Sequence, residues 1–232
     1  MNEWDNLWEK EYRLPFSTTF GRTFPNGYTE GFVYDWLSGL SLGGDILEVG
    51  CGNASLVPFL LDNKIGESYT GVDSAKVHLS SDVSKRIKNH NLDIILHKQT
   101  PLENTSFMGR FDHVVSIYGI EYTHMFRTLP IVYESLKKDG HIHFMMHNSE
   151  SSMTAFGKSQ LRTHYTMEFD STGDLIEDFR TEKIRHKQQV ESSMDEKEIE
   201  VFKCNLEQTG FVNIKITEQT RKLAWLVSAK RG

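Results

Sequence analysis

Glu48, Gly50 and Gly52 stand in the run Gly44-Asp45-Ile46-Leu47-Glu48-Val49-Gly50-Cys51-Gly52-Asn53-Ala54-Ser55, where an apolar strand ends on an acid, turns through glycine and enters a helix. Such a turn lets backbone N–H groups at a helix start approach a ligand closely. A second segment, Tyr69-Thr70-Gly71-Val72-Asp73, ends on an aspartate 21 positions after Gly52. At that spacing a carboxylate can accept both hydroxyls of a ribose. Together the two segments predict an adenosine-bearing cofactor at the carboxyl edge of a parallel sheet. A dinucleotide fingerprint wants a further glycine three residues after Gly52, to seat a pyrophosphate, and that residue is Ser55.

A second group of chemically capable residues lies later in the chain. His141, His143 and His147 share one side of a predicted strand by period-2 alternation. A His-x-His strand can ligate a metal. A strand covered by helices makes these hydrogen-bonded structural histidines instead, and no metal site is expected. His147 falls at the carboxyl edge, where an imidazole can be neutral at physiological pH and take a proton. It is the first candidate for a general base, followed by Glu121, His124 and Tyr118.

The elements that position these residues alternate. Predicted strands lie near 45–49, 68–73, 93–98, 112–117 and 141–147, with helices near 54–63, 75–89 and 122–138. Strand cores such as Ile46-Leu47 and Val114-Val115 are apolar, as a sheet covered on both faces requires. The rhythm implies a doubly wound α/β fold. Four parts follow: an N-terminal helical cap over 1–43, a cofactor-binding core over 44–147, an insertion over 148–194, and a C-terminal helix and hairpin over 195–232. Within the cap, residues 3–13 read as a helix with Trp4, Leu7, Trp8 and Tyr12 on one face, and Thr29 as the cap of a second helix ending near Leu40. The polar insertion begins at the carboxyl edge of the sheet, where ligands bind in such folds, and reads as a lid over the substrate.

At 232 residues the chain reads as one domain with room for a substantial core. No run of 18 apolar residues occurs, so no spanning helix is expected, and the polar, acidic start does not resemble a signal peptide. The only cysteines, Cys51 and Cys204, suggest neither a metal site nor a disulfide framework, which fits a reducing cytoplasm. A net charge of −6 argues against a nucleic-acid partner, whose phosphates call for Lys and Arg. Nothing in the sequence fixes an oligomeric state.

The Glu-x-Gly-x-Gly order of Glu48-Val49-Gly50-Cys51-Gly52 resembles the first motif of class I S-adenosylmethionine-dependent methyltransferases. Phe111-Asp112-His113-Val114-Val115-Ser116 is similar to that family's fourth strand. Leu136 to Phe144 is similar to the turn into its fifth, and Gln208-Thr209-Gly210-Phe211 to the entry to its sixth. The resemblance implies a mostly parallel seven-stranded sheet closed by a C-terminal antiparallel hairpin. It implies S-adenosylmethionine as cofactor and methyl transfer to an oxygen or nitrogen of a small molecule. Glu48, Gly50, Cys51, Gly52, Asp73 and Ser74 would then surround the cofactor's methionine and ribose. The family's acidic residue after the third strand is missing from His97-Lys98-Gln99-Thr100-Pro101-Leu102, so Gln99 or Thr100 would face the adenine and Leu102 would pack on it. Ser116 and Ile117 would flank the methionine. Tyr122 stands where many small-molecule members have histidine, and with Tyr12, Phe20 and Asn148 it is expected to enclose the substrate.

Such transfer depends chiefly on alignment, because the methyl group arrives activated, and a base is needed only for a protonated nucleophile. Macromolecular relatives are distinguishable. No Asn/Asp-Pro-Pro-aromatic run follows the fourth strand, neither cysteine follows a proline, and only Glu121 stands where arginine methyltransferases place two glutamates. A protein or peptide methyltransferase of another kind, or a non-catalytic cofactor-binding regulatory protein, remains the alternative. A nicotinamide oxidoreductase is disfavoured by Ser55 and the hairpin.

Overall fold

The computed structural model describes residues 4, 5, 8, 31–79, 81–88, 91–162, 186–220 and 222–232. In chain order the elements are α1 (Gly31–Ser38), β1 (Asp45–Val49), α2 (Leu56–Asn63), β2 (Ser68–Val72), α3 (Ser81–Ile87), β3 (Asp93–His97), β4 (Phe111–Ile117), α4 (Met125–Ser135), β5 (Leu136–His147), α5 (Ser152–Arg162), α6 (Glu196–Thr209), β6 (Phe211–Glu218) and β7 (Ala224–Arg231). The strands form one sheet in the order β3-β2-β1-β4-β5-β7-β6. Pairing is parallel from β3 to β5, and β7 runs antiparallel to both β5 and β6. This is the expected doubly wound sheet with its C-terminal hairpin.

Burial on both faces explains the apolar strands. On one face Leu47, Val114, Ile142 and Phe144 pack with Leu129 and Val132 of α4 and with Phe202 and Leu206 of α6. On the other, Ile46, Tyr69, Val115 and Met145 pack with Val33 and Leu37 of α1 and with Leu56, Phe59 and Leu60 of α2. Strand order reverses between β1 and β4, so the loops leaving their carboxyl ends diverge and open a crevice there.

Several boundaries differ from expectation. The helix anticipated over 75–89 is only Ser81–Ile87. Ahead of it, side chains take the backbone donors. Asp73 accepts from Ala75, Asp5 from Lys76 and Asn53 from His78, which holds this stretch off the helical path. The next helix starts at Met125 rather than near 122, after a 3-10 turn over Ile120–Tyr122. Strand β5 begins at Leu136 rather than 141. Its pairing with β4 shifts register between Phe111 and His113, and Asp139 sits at φ 68°, so the expected turn is a bulge within the strand. In the insertion, α5 and a helical segment over 186–192 are described, and 163–185 lie outside the described residues. Trp4, Asp5 and Trp8 are helical, as the N-terminal reading expected; Thr29 is outside the described residues.

His113 and His143 meet across β4 and β5, with Nδ1 of His113 3.1 Å from Nε2 of His143. His141 stacks on both rings. No cluster of His, Cys, Asp or Glu that could hold a metal occurs among the described residues. Burial pushes the His143 imidazole down to about 3, with His113 and His141 adding to the shift. Burial, and then His141, also lower His113. A histidine whose folded pKa lies below its unfolded value binds fewer protons when folded. Its stabilising contribution is therefore complete above about pH 6.5 and is lost as pH falls toward 3. His143→Gln, which cannot titrate, is expected to flatten the fall in melting temperature between pH 6.5 and 4. Equal slopes in the two proteins would mean that this pair does not govern acid sensitivity.

Candidate active site

Residues after β1 and β2 build the floor of the crevice. The Gly50 and Cys51 N–H groups both donate to the Val72 carbonyl, tying the glycine turn to the end of β2. The Asp73 carboxylate locks the turn. Its Oδ2 accepts from Gly52 N–H and its Oδ1 from Ala75 N–H, both at 2.8 Å. Burial raises the Asp73 pKa, while these two donors work against that rise. Each oxygen is left with a further lone pair.

From β4 the chain returns to touch the same turn. Ser116 Oγ donates to the Val49 carbonyl at 2.7 Å and accepts from Ile120 N–H at 2.8 Å. Gly50, at φ 69°, and Gly119 lie so close that a Cβ on Gly50 would stand 2.8 Å from Gly119 Cα. Tyr118 takes φ 53°, a left-handed conformation that costs a non-glycine residue about 1–2 kcal/mol. It stacks on His147 with ring centroids 4.2 Å apart. The His147 N–H donates to Glu121 Oε1 at 3.0 Å, and burial pushes the Glu121 carboxyl up to about 8.

The result is a cleft of about 250 Å³ at the carboxyl edge. Val49, Gly50, Val72, Asp73 and Ser74 line its floor. Thr100, Pro101, Leu102 and Glu103 line one side, and Tyr118, Gly119, Tyr122, Thr123 and His124 the other. Trp4 and Trp8 complete it. Trp8 lies directly on Gly52, with ring carbons 2.6–3.0 Å from where a Cβ would be, and Tyr122 meets Trp4 edge-on at 5.1 Å.

Of the residues singled out in the sequence, Gly50, Asp73, Ser74, Thr100, Leu102, Tyr118, Tyr122 and His124 meet on this cleft. Gly52 lies at its edge under Trp8. The others stand elsewhere. Glu48 is buried behind the turn and accepts from the Tyr69 hydroxyl at 2.5 Å, with burial pushing its carboxyl up to about 8. The Cys51 side chain packs inward with Ala75 and Val77. Gln99 is exposed, and its N–H serves the Ala75 carbonyl. Ser116 is spent on the loop staple, and Ile117 belongs to the core. His147 lies one layer back, 2 % exposed behind Tyr118, with Glu121 beside it. Asn148 instead ties the end of β5 to the end of β6, donating to Glu218, and accepts from Glu150 N–H. Tyr12 and Phe20 lie outside the described residues.

Sequence reasoning missed Glu103 and Gly119. Glu103 lies just past His97 to Leu102, where the acid after β3 was expected, and its Oε1 accepts from Thr128 at 2.8 Å. The signal for Gly119 was a second glycine at the end of a strand parallel to the one that carries Gly50.

Residues 47–142 match the methyltransferase-domain family. No curated protein matches the chain by sequence. Among solved structures, a SAM-dependent methyltransferase from Aquifex aeolicus is similar at 15 % identity and a TM-score of 0.56, over 86 % of this chain and 89 % of that one. Phosphoethanolamine N-methyltransferase 2 of Haemonchus contortus, solved with S-adenosylmethionine, is similar at 14 % identity and a TM-score of 0.55 over 85 % of this chain. The chain spans about half of that protein, 51 % of its length. The residues present suit the same cofactor. Asp73 keeps acceptor capacity on the cleft wall beside a turn that only glycine can make, and no third glycine prepares a pyrophosphate seat. Residues 47–142 thus carry a methyltransferase domain, within a chain whose fold is similar to that of these S-adenosylmethionine-dependent enzymes. Among the described residues no helix is long and apolar enough to cross a membrane.

Proposed function

We propose that the protein moves the methyl group of S-adenosylmethionine to a nitrogen or oxygen of a small-molecule acceptor. The observation that carries this reading is the single cleft on which Gly50, Asp73, Ser74, Thr100 and Leu102 meet Tyr118, Tyr122 and His124. The first five would hold the cofactor, with Asp73 on the ribose hydroxyls and Leu102 against the adenine. Glu103 supplies the carboxylate on that side that Gln99 does not. Bound there, S-adenosylmethionine supplies an electrophilic methyl group on a sulfonium. The protein's own work is to align the nucleophile, shed water and receive a proton. Trp4 and Trp8 support the reading of residues 1–43 as a cap over this cleft.

Among the described residues His124 is the one imidazole on the cleft wall, and it takes the role first assigned to His147. It precedes α4 and is exposed, so it can exchange a proton with solvent. His124→Ala is expected to lower turnover by roughly 10²-fold at pH 7, with much of the loss recovered as pH rises. A full loss in His147→Ala with none in His124→Ala would return the base to β5.

Calorimetry with S-adenosylmethionine, S-adenosylhomocysteine and NAD tests the reading as a whole. Micromolar binding of the first two without NAD is the expected result. NAD binding, or no binding of either adenosyl ligand, would overturn it.

A further inference from the structure

Glu121 is a buried acid to which the proposed reaction assigns no role. It sits on the 3-10 turn Ile120–Tyr122, which Ser116 pins by accepting from Ile120 N–H. From that turn its side chain reaches the end of β5, where Oε1 accepts from His147 N–H. The residue is 7 % exposed, and Oε2 is buried with no hydrogen-bond partner. A carboxyl buried without a counter-charge favours its neutral form. Burial accordingly pushes Glu121 up to about 8, opposed only by backbone hydrogen bonds. Among the described residues, the titratable groups on the elements that meet here are His147 of β5 and Tyr118, Tyr122 and His124 of the loop itself.

His147 in turn supports Tyr118. Their rings stack with centroids 4.2 Å apart and planes 19° from parallel. Tyr118 reaches the cleft wall from a left-handed backbone, φ 53°. Such a conformation persists only where its surroundings over-determine it. The stack is one such determinant, and the Glu121 hydrogen bond fixes the backbone that carries the His147 ring. We propose that Glu121 is a positioning residue for the transfer: through His147 it holds Tyr118 on the cleft. The protonated acid does this. Ionisation would leave an unpaired charge behind the wall, draw in water and part the end of β5 from the turn. The inference rests on the methyltransferase reading for what Tyr118 does, but not for where its ring is held.

The stack supplies a readout that needs no ligand. Ring current from Tyr118 displaces the His147 ring-proton NMR signals upfield. The signals are assigned by their loss in His147→Gln, and the displacement by its loss in Tyr118→Leu. In wild type most of the displacement is expected to vanish between pH 7 and pH 9. In Glu121→Gln, whose amide stays neutral and can still accept from His147 N–H, it should persist across that range. Affinity for S-adenosylhomocysteine should fall about tenfold over the same range in wild type and about twofold or less in Glu121→Gln. Glu48, also pushed up to about 8, and the ligand's own ammonium titrate in both proteins, so the difference between the two isolates Glu121. Glu121→Ala should lose the displacement at every pH; if it fails to fold, the glutamine comparison decides alone. A displacement that follows pH equally in wild type and Glu121→Gln, one that persists in Glu121→Ala, or equal pH dependence of affinity in wild type and Glu121→Gln would each overturn the inference. If S-adenosylhomocysteine binds wild type at no pH, the methyltransferase reading fails, and the NMR comparison still decides whether Glu121 positions Tyr118.

Discussion

Asp73→Ala is expected to weaken S-adenosylhomocysteine binding by on the order of 100-fold. In the proposed complex the carboxylate accepts two ribose hydroxyls, and charge-assisted hydrogen bonds contribute about 1.5–3 kcal/mol each before water compensates. The same oxygens hold Gly52 N–H and Ala75 N–H, so the substitution also releases the glycine turn. The two effects separate by ligand choice. A 2′,3′-dideoxy analogue of S-adenosylhomocysteine lacks the hydroxyls and should bind wild type weakly. It should lose little more in the variant if the ribose contact dominates. If the analogue loses as much as the parent ligand, Asp73 acts through the turn alone. Unchanged binding of the parent would remove Asp73 from the site. Asp73→Asn is not a neutral control. Its amide has one acceptor oxygen and would direct a donor at Gly52 N–H or Ala75 N–H.

Asp73 was legible in the sequence because its position follows from strand order: the end of β2 lies beside the end of β1 in a fold of this kind. Gly50, Leu102 and the C-terminal hairpin were legible for the same reason. Each is fixed by backbone topology, which alternating apolar segments announce. Side-chain direction was harder. His147 does end β5 at the carboxyl edge, but Tyr118 bends into a left-handed conformation and covers it. Nothing local to Ile117-Tyr118-Gly119 announces that bend, which depends on Gly119 packing against Gly50. Glu48 is turned away from the cleft for a related reason. It lies within β1, and the Tyr69 hydroxyl across the strand pair satisfies it. The β5 bulge was hidden too, because Lys-Lys-Asp-Gly suits a turn as well as a strand irregularity, and only the register with β4 decides between them.

Gly119→Ala should be a severely damaging single-methyl change at the site. The new Cβ would stand 2.7 Å from the Val49 carbonyl, 2.9 Å from Ser116 Oγ and 3.1 Å from Gly50 Cα. Two of those neighbours are backbone, and the third is the staple between the β1 and β4 ends, so no flexible side chain can yield. The ends of β1 and β4 must part. Overpacking of this kind costs about 1–3 kcal/mol, and loss of the Ser116 hydrogen bonds adds about 1 kcal/mol. For a chain of this size the sum corresponds to a fall in melting temperature of roughly 5–15 °C. Gly50→Ala meets the same contact from the other side and adds the cost of its positive φ. The double variant should therefore cost less than the sum of the singles. Gly109→Ala is the control, since Gly109 also has positive φ, 57°, but no atom within 4 Å of an added Cβ. It should lose only the conformational part, about 1–2 kcal/mol, and retain cofactor affinity. Gly119→Ala should lose affinity even at temperatures where it is folded, because Gly50 and Tyr118 would no longer sit on one cleft. A Gly119→Ala protein that melts like Gly109→Ala and binds S-adenosylhomocysteine like wild type would show that the approach of the two loops builds neither the fold nor the site.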